Sequence, residues 1–204
     1  MLLTDARKVP KARVRWLYPQ EEATLSPLVA QEPNMWAYYF MGLHTGMRVS
    51  EMMAIQVQDI DLVLNQLFIP NSKNSCSRYV ALSPKAVEFL TAAAAGKGPE
   101  DKVLPQFSYT YLREHFRALC EMAKVPDFTI HCMRHTFAQR LLSHGESIYL
   151  VSKLLGHSTV VVTQTHYGHL ATQDLARTVS QIDGAFTMAP ECHSSGSRMA
   201  VKWQ

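Results

Sequence analysis

The sequence predicts a mainly α-helical chain carrying one small antiparallel β-hairpin. Apolar residues recur at helical spacing along most of its length. Several of these segments open at Ser or Pro and stop at Gly, the residues that start and end helices. Two short runs, 67–69 (LFI) and 79–82 (YVAL), have the β-branched and aromatic content of strands, with a polar turn between them.

Residues 1–15 form a basic, Pro-containing lead-in, with Arg7, Lys8, Lys11, Arg13 and Arg15 against Asp5. It reads either as a solvated linker or as a strap that follows DNA phosphates. A helix opens at Pro19, with Glu21 and Glu22 in the first turn, where the helix dipole favours acids. The next, from Pro33 to about His44, is strongly apolar (Met35, Trp36, Tyr39, Phe40, Leu43) and belongs to the core; Gly46 ends it. Arg48 lies at the break before another helix. On the residues alone it reads as a surface partner of Glu51, with Met47, Met52 and Met53 as packing residues. Lys73 sits in the turn of the hairpin among Asn71, Ser72, Asn74 and Ser75, the setting of an ordinary loop lysine. Ser83 and Pro84 start a helix that runs to about Ala95, and an amphipathic helix covers about Phe107 to Lys124. Near the end, 171–182 reads as a last helix with Leu175, Val179 and Ile182 on one side, and 184–204 as a loose tail.

The chain is organised around residues 129–170, which hold six of its nine histidines. Thr129 is a candidate N-cap, and Ile130, Met133, Phe137, Leu141 and Leu142 form an apolar stripe closed by Gly145. His131 and Arg134 are three apart and share a face. A second helix, from about Ser147 to Leu155, stops at Gly156; His157 follows immediately, and Tyr167 lies ten residues further on. The segment between them, TVVVTQT, favours a strand on propensity.

HCMRHTFAQRLLSHG, then LLGHSTVVVT, then HYGHL resembles the C-terminal signature of the tyrosine recombinases, the phage-integrase family: His-x-x-Arg, a Leu-Gly-His turn and a tyrosine, in that order. TGMRVSEMMAI resembles the first-arginine motif of the same family. The resemblance covers roughly residues 13–182. It implies the tyrosine recombinase catalytic-domain fold over 16–183, a helical TVVVTQT segment, and six catalytic positions: Arg48, Lys73, His131, Arg134, His157 and Tyr167. Lys73 matches the mobile catalytic lysine that the family carries on a hairpin, and Arg78 fits the same pattern.

These residue types suit attack on a DNA phosphodiester. Guanidinium presents a planar, permanently charged fork to phosphate oxygens, which suits Arg48 and Arg134. The resemblance makes Tyr167 the nucleophile, and a phenol with a pKa of about 10 in water needs a base, for which His131 is the candidate. Lys73 would protonate the departing 5′ oxygen, each proton transfer being worth roughly 10²- to 10⁴-fold in rate. His157 would donate a hydrogen bond to the phosphate. The resemblance implies a 3′-phosphotyrosyl intermediate, no cofactor and no metal. It also implies double-stranded DNA as partner and a homo-tetramer on two DNA sites when full length.

Other histidines (His135, His144, His166, His169) could suggest zinc, but no H-E-x-x-H is present and no acid or cysteine completes a ligand set. His135 reads instead as a buried, hydrogen-bonded support beside the site. The four cysteines, Cys76, Cys120, Cys132 and Cys192, form no C-x-x-C pair and read as reduced thiols in a cytoplasmic protein. No apolar stretch is long enough to span a bilayer. The formal net charge of the 204 residues is +3, and 21–183 carry thirteen Lys/Arg against fifteen Asp/Glu, so a DNA site must be a local cluster.

Two departures from the family are visible. The resemblance covers only the catalytic half of a typical member, without the helical core-binding domain that usually precedes it, so the sequence reads as a fragment, a truncated gene or a member that recognises DNA with one domain; and the His157–Tyr167 spacing is one residue longer than the commonest pattern. Two rival readings share the resemblance: a strand-resealing enzyme like type IB topoisomerase, and a catalytically silent DNA-binding remnant of a mobile element.

Overall fold

A computed structural model describes residues 14–70, 77–157 and 159–171, with side chains described as far as Tyr167. Among these residues are eight α-helices, a short 3-10 turn at Val57–Asp59 and one three-stranded sheet. The helices are α1 (Pro19–Ala30), α2 (Pro33–Thr45), α3 (Val49–Ala54), α4 (Pro84–Ala94), α5 (Tyr109–Met122), α6 (Cys132–Ser143), α7 (Ile148–Leu155) and α8 (Val160–Ala171). The strands are β1 (Ile60–Asp61), β2 (Gln66–Ile69) and β3 (Arg78–Ala81), antiparallel in the order β1-β2-β3. Leu67 pairs with Ile60 on one side and Val80 on the other.

Helix α2 is the central element, packing against α1, α3, α4 and α6. Its apolar face (Met35, Tyr38, Tyr39, Met41, Leu43) is buried with Leu25 and Val29 of α1, Leu112 and Phe116 of α5, and Met133 of α6. Each such side chain contributes about 1.5–3 kcal/mol by leaving water. Gly42 lets α6 come close, since a Cβ there would stand 3.0 Å from Met133 Sδ. That approach brings the start of α6 beside the α2–α3 break, and so His131 and Arg134 beside Arg48. A second, smaller cluster joins Ala138 and Leu142 of α6, Val151 and Leu155 of α7, and Tyr167 of α8.

Two local features differ from the sequence expectation, and a third resolves a conflict within it. Helix α6 starts at Cys132, three residues after the expected Thr129 cap, because 129–131 form a turn of their own: Thr129 O accepts Cys132 N–H at 2.8 Å, and His131 takes the N-cap position with no capping bond. A third strand, β1, extends the hairpin; two residues are too few for a period-2 pattern to reveal it. The TVVVTQT segment is helical from Val160 onward, as the resemblance implied, and packing against α7 overrides its strand propensity. The lead-in up to residue 13, Lys73, the last helix expected at 171–182 beyond Ala171, and the tail at 184–204 lie outside the described residues. Arg15, from the end of the lead-in, is committed within the chain: it bonds Glu21 at 2.6 Å and lies over the Phe128 ring.

Candidate active site

Arg48 occupies the break between α2 and α3. Gly46 makes that break, with φ +63°, and a Cβ on it would meet Phe137 Cδ1 at 2.5 Å. Glu51 then reaches back to the Arg48 N–H (2.8 Å), half of a capping box that fixes the start of α3. The same carboxylate binds Arg48 Nη1 at 2.9 Å, and Arg78 of β3 grips it with both Nη atoms, at 2.7 and 2.8 Å. Burial alone would raise the Glu51 pKa, but the bonds from Arg78 and Arg48 outweigh it and hold the group at about 2. Glu51 is therefore a buried counter-ion that orients two guanidiniums.

Arg134 is buried in the first turn of α6. Its Nη1 donates to the Gly46 carbonyl at 2.7 Å and its Nη2 to the Leu155 carbonyl at 2.6 Å, tying α6 to the ends of α2 and α7. Two donors are spent on the fold and three remain. Burial, and then the charge on Arg48, lower its pKa to about 10, so it stays charged at neutral pH. His157 follows the α7 stop at Gly156 (φ +68°), and its Nδ1 meets Thr163 Oγ1 at 2.7 Å. Thr163 is fully buried on α8, one turn before Tyr167, so one helix carries both the histidine's support and the tyrosine.

Tyr167 is 1% exposed, and its hydroxyl meets His135 Nδ1 at 2.5 Å. Burial raises the phenol's pKa, opposed by the charge on Arg134. The His135 and His131 rings sit edge to face with centroids 4.9 Å apart. A cavity of about 210 Å³ is lined by Arg48, His131, Arg134, His135, His157, His166 and Tyr167 together with Leu155 and Val162. Five of the six residues expected from the sequence thus line one space, and the sixth, Lys73, lies outside the described residues. Around it, among the described residues, stand three guanidiniums (Arg48, Arg134, and Arg78 behind them) against the carboxylate of Glu51. The near-neutral chain therefore holds a local excess of cations that suits an anion. A larger cavity, about 360 Å³, opens beside α5 between Arg113, Arg117 and Phe128, and contains none of these residues. Among the described residues, no three His, Cys, Asp or Glu side chains are gathered as a metal would require.

Sequence reasoning did not identify three supports: Arg78 on Glu51, Thr163 under His157, and His166 in the cavity wall. The Thr163–Tyr167 spacing of four was legible once the segment was taken as helix. The partnership of Arg78 with Glu51, 27 residues apart, had no local signal.

A family model described as the phage integrase family matches residues 16–174. The chain belongs to the phage integrase family. Among its curated relatives within that family, tyrosine recombinase XerA of Saccharolobus solfataricus is 35% identical over 133 residues, 65% of this chain and 45% of the relative. Tyrosine recombinase XerD of Lacticaseibacillus casei is 32% identical over 144 residues, 64% of this chain and 48% of the relative. The integrase of Salmonella phage P22 is 28% identical over 212 residues, 94% of this chain and 54% of the relative. The chain thus spans about half the length of these relatives. The fold recurs in the catalytic domain of bacteriophage HP1 integrase (TM-score 0.65, 22% identity, 87% of this chain and all of that one). It recurs too in Tn1549 transposon integrase in complex with transposon right end DNA (TM-score 0.70, 21% identity, 90% of this chain and 70% of that one).

Proposed function

We propose that this chain is the catalytic half of a site-specific DNA recombinase of the integrase type. Tyr167 cleaves one strand of duplex DNA, leaving a 3′-phosphotyrosyl ester and a free 5′-hydroxyl, and a 5′-hydroxyl from a second DNA reverses the step. The observation that carries this reading is the single cation-walled cavity in which Arg48, His131, Arg134, His157 and Tyr167 meet from four separate segments.

In this reading Arg48 and Arg134 clamp the non-bridging oxygens of the phosphate, which gain charge in the transition state. His157 adds a hydrogen bond: a Thr163 hydroxyl donating to Nδ1 leaves the proton on Nε2, the nitrogen available to an oxygen. His131 lines the same cavity beside Arg134, and Lys73, between β2 and β3 in the sequence, protonates the departing 5′ oxygen. The hairpin is tied to the site, since β3 supplies Arg78 to Glu51. The ester conserves the energy of the broken bond, so the chemistry calls for neither metal nor nucleotide. Double-stranded DNA as partner is supported by the family and by the fold shared with a DNA-bound transposon integrase. The working form is a homo-tetramer on two DNA sites when full length, acting in the cytoplasm.

The test is to incubate the protein with nicked suicide duplexes drawn from DNA flanking its gene and to resolve covalent protein–DNA complexes under denaturing conditions. A covalent band that disappears in Tyr167→Phe is expected. Measurable binding to these duplexes with no covalent band from any of them would overturn the enzyme reading and leave a silent DNA-binding module. Relaxation of supercoils without exchange between two sites would favour a strand-resealing enzyme.

A further inference from the structure

The hydroxyl of Tyr167 meets Nδ1 of His135 at 2.5 Å, while among the described residues no hydrogen bond joins Tyr167 to His131. His135 lies on the second turn of α6, flanked by the rings of His131 (4.9 Å) and His166 (6.1 Å). It borders the same cavity as the clamp arginines. The phenol holds its proton, because burial raises its pKa. The imidazole is neutral: burial first, then His131, His166, Arg134 and His157, lower its pKa to about 4. With the imidazole proton on Nε2, the phenolic O–H donates to a bare Nδ1.

We propose that His135 is the base for Tyr167: it seats the hydroxyl for attack and takes its proton on Nδ1, the role that sequence reasoning gave to His131. This rests on the recombinase reading above and names the group that activates its nucleophile. In cleavage the Tyr167 O–H bond breaks and an N–H bond forms on His135. The freed electron pair makes the O–P bond. The P–O5′ bond breaks, and the leaving oxygen takes a proton from the acid assigned to Lys73. Rejoining runs backwards, with His135 returning the proton to the tyrosine.

At rest His135 is a weak base, and its surroundings say why. Facing it are His131 and Arg134 on its own helix, Arg48 at the start of α3, His157 after α7, and His166 and Tyr167 on α8, with Glu51 and Arg78 behind. The Arg134 charge that suppresses its protonation is one that a bound phosphate offsets. DNA arriving in the cavity would raise the proton affinity of His135 and so switch on the transfer, and the tyrosine stays unreactive until then.

The experiment uses the full chain and the duplex on which the wild-type protein forms its covalent complex, in two versions. One has the ordinary phosphodiester; the other has sulfur at the bridging 5′ position, where a thiolate leaves without an acid. His135→Ala should slow covalent-complex formation by roughly 10²-fold or more on both versions, whereas Lys73→Ala should be rescued by sulfur. His135→Asn places an amide oxygen near the position of Nδ1. It should keep the fold and DNA affinity yet stay slow, with a rate that climbs with pH where the wild type is flat. It carries the test if the alanine variant fails to fold. His135→Asn at the wild-type rate, sulfur rescue of His135→Ala, or faster cleavage by His135→Ala would each overturn the proposal, the last by showing a latch that holds the tyrosine back. Should the wild type itself form no covalent complex with any duplex, the recombinase reading fails first, and that silent control separates the two failures.

Discussion

Arg78 lies against the α-carbon of Gly156: a Cβ there would stand 2.4 Å from its Cδ and 2.6 Å from its Nε. The strand that leads out of the hairpin and the turn that presents His157 are thus in direct contact. Two constraints coincide at Gly156, its left-handed backbone (φ +68°) and the guanidinium beside it. Gly156→Ala should cost about 1–2 kcal/mol for the backbone alone, and more because Arg78 cannot retreat without leaving Glu51. Urea unfolding measures this, and a wild-type midpoint would show that the turn adapts.

Removing the other side of that contact should be more costly. Arg78→Met leaves Glu51, buried to 4% side-chain exposure, with Arg48 as its one remaining ion-pair partner among the described residues. Breaking a buried pair from one side costs about 3–5 kcal/mol. The acid limb should move as well. The folded pKa of Glu51, about 2, lies below its ordinary 4.5, so its contribution is complete above 4.5 and is lost as pH falls toward 2. Without Arg78, burial is less opposed, the folded pKa rises, and thermal melts at a series of pH values should show the decline starting at higher pH.

His135 and His157 set a second pH dependence. Burial is the larger cause for both, followed by the neighbouring positive groups, and both pKa values fall from 6.5 to about 4. The unfolded chain therefore binds more protons between these values. Stability should hold above about pH 6.5 and decline as pH drops toward 4. Melts of His157→Gln should show a shallower decline over that window than the wild type; an identical slope would exclude His157 as a contributor.

Thr163 offers a test of orientation rather than charge. Thr163→Val keeps the shape of a fully buried side chain but removes the hydroxyl that His157 Nδ1 meets. Covalent-complex formation should fall about tenfold at saturating DNA, because a hydrogen bond to a developing charge is worth about 1.5–3 kcal/mol and is weakened here rather than removed. Thr163→Ser should recover most of the rate. An unchanged rate in the valine variant would mean that His157 needs no such support.

Much of the fold was legible because its signals are local. Pro19, Pro33 and Pro84 each stand at the first position of a helix, and Gly46, Gly145 and Gly156 each adopt the positive φ expected of a stop. Ser83, Ser108 and Ser147 each cap the helix that follows. The candidate site was legible from order and spacing along the chain, which the resemblance read as motif. What could not be read is what depends on the third dimension. The Glu51–Arg78 grip crosses 27 residues and the His135–Tyr167 contact crosses 32, and no periodicity encodes either. Helix α8 shows the limit of propensity: Val160, Val161 and Val162 favour a strand in isolation, yet the segment is helical where it packs on α7.

The two carbonyl bonds of Arg134 bear on how such a chain can decay. The side chain proposed to clamp the phosphate also pins the end of α2 to the end of α7, through Gly46 and Leu155. A lineage that discarded this arginine would leave two buried carbonyls without their donors and loosen the walls of the cavity along with its charge. Chemistry and architecture are lost together at that position, so an inactive descendant that keeps a sound fold would have to fall silent elsewhere, most cheaply at Tyr167 by the loss of a single oxygen.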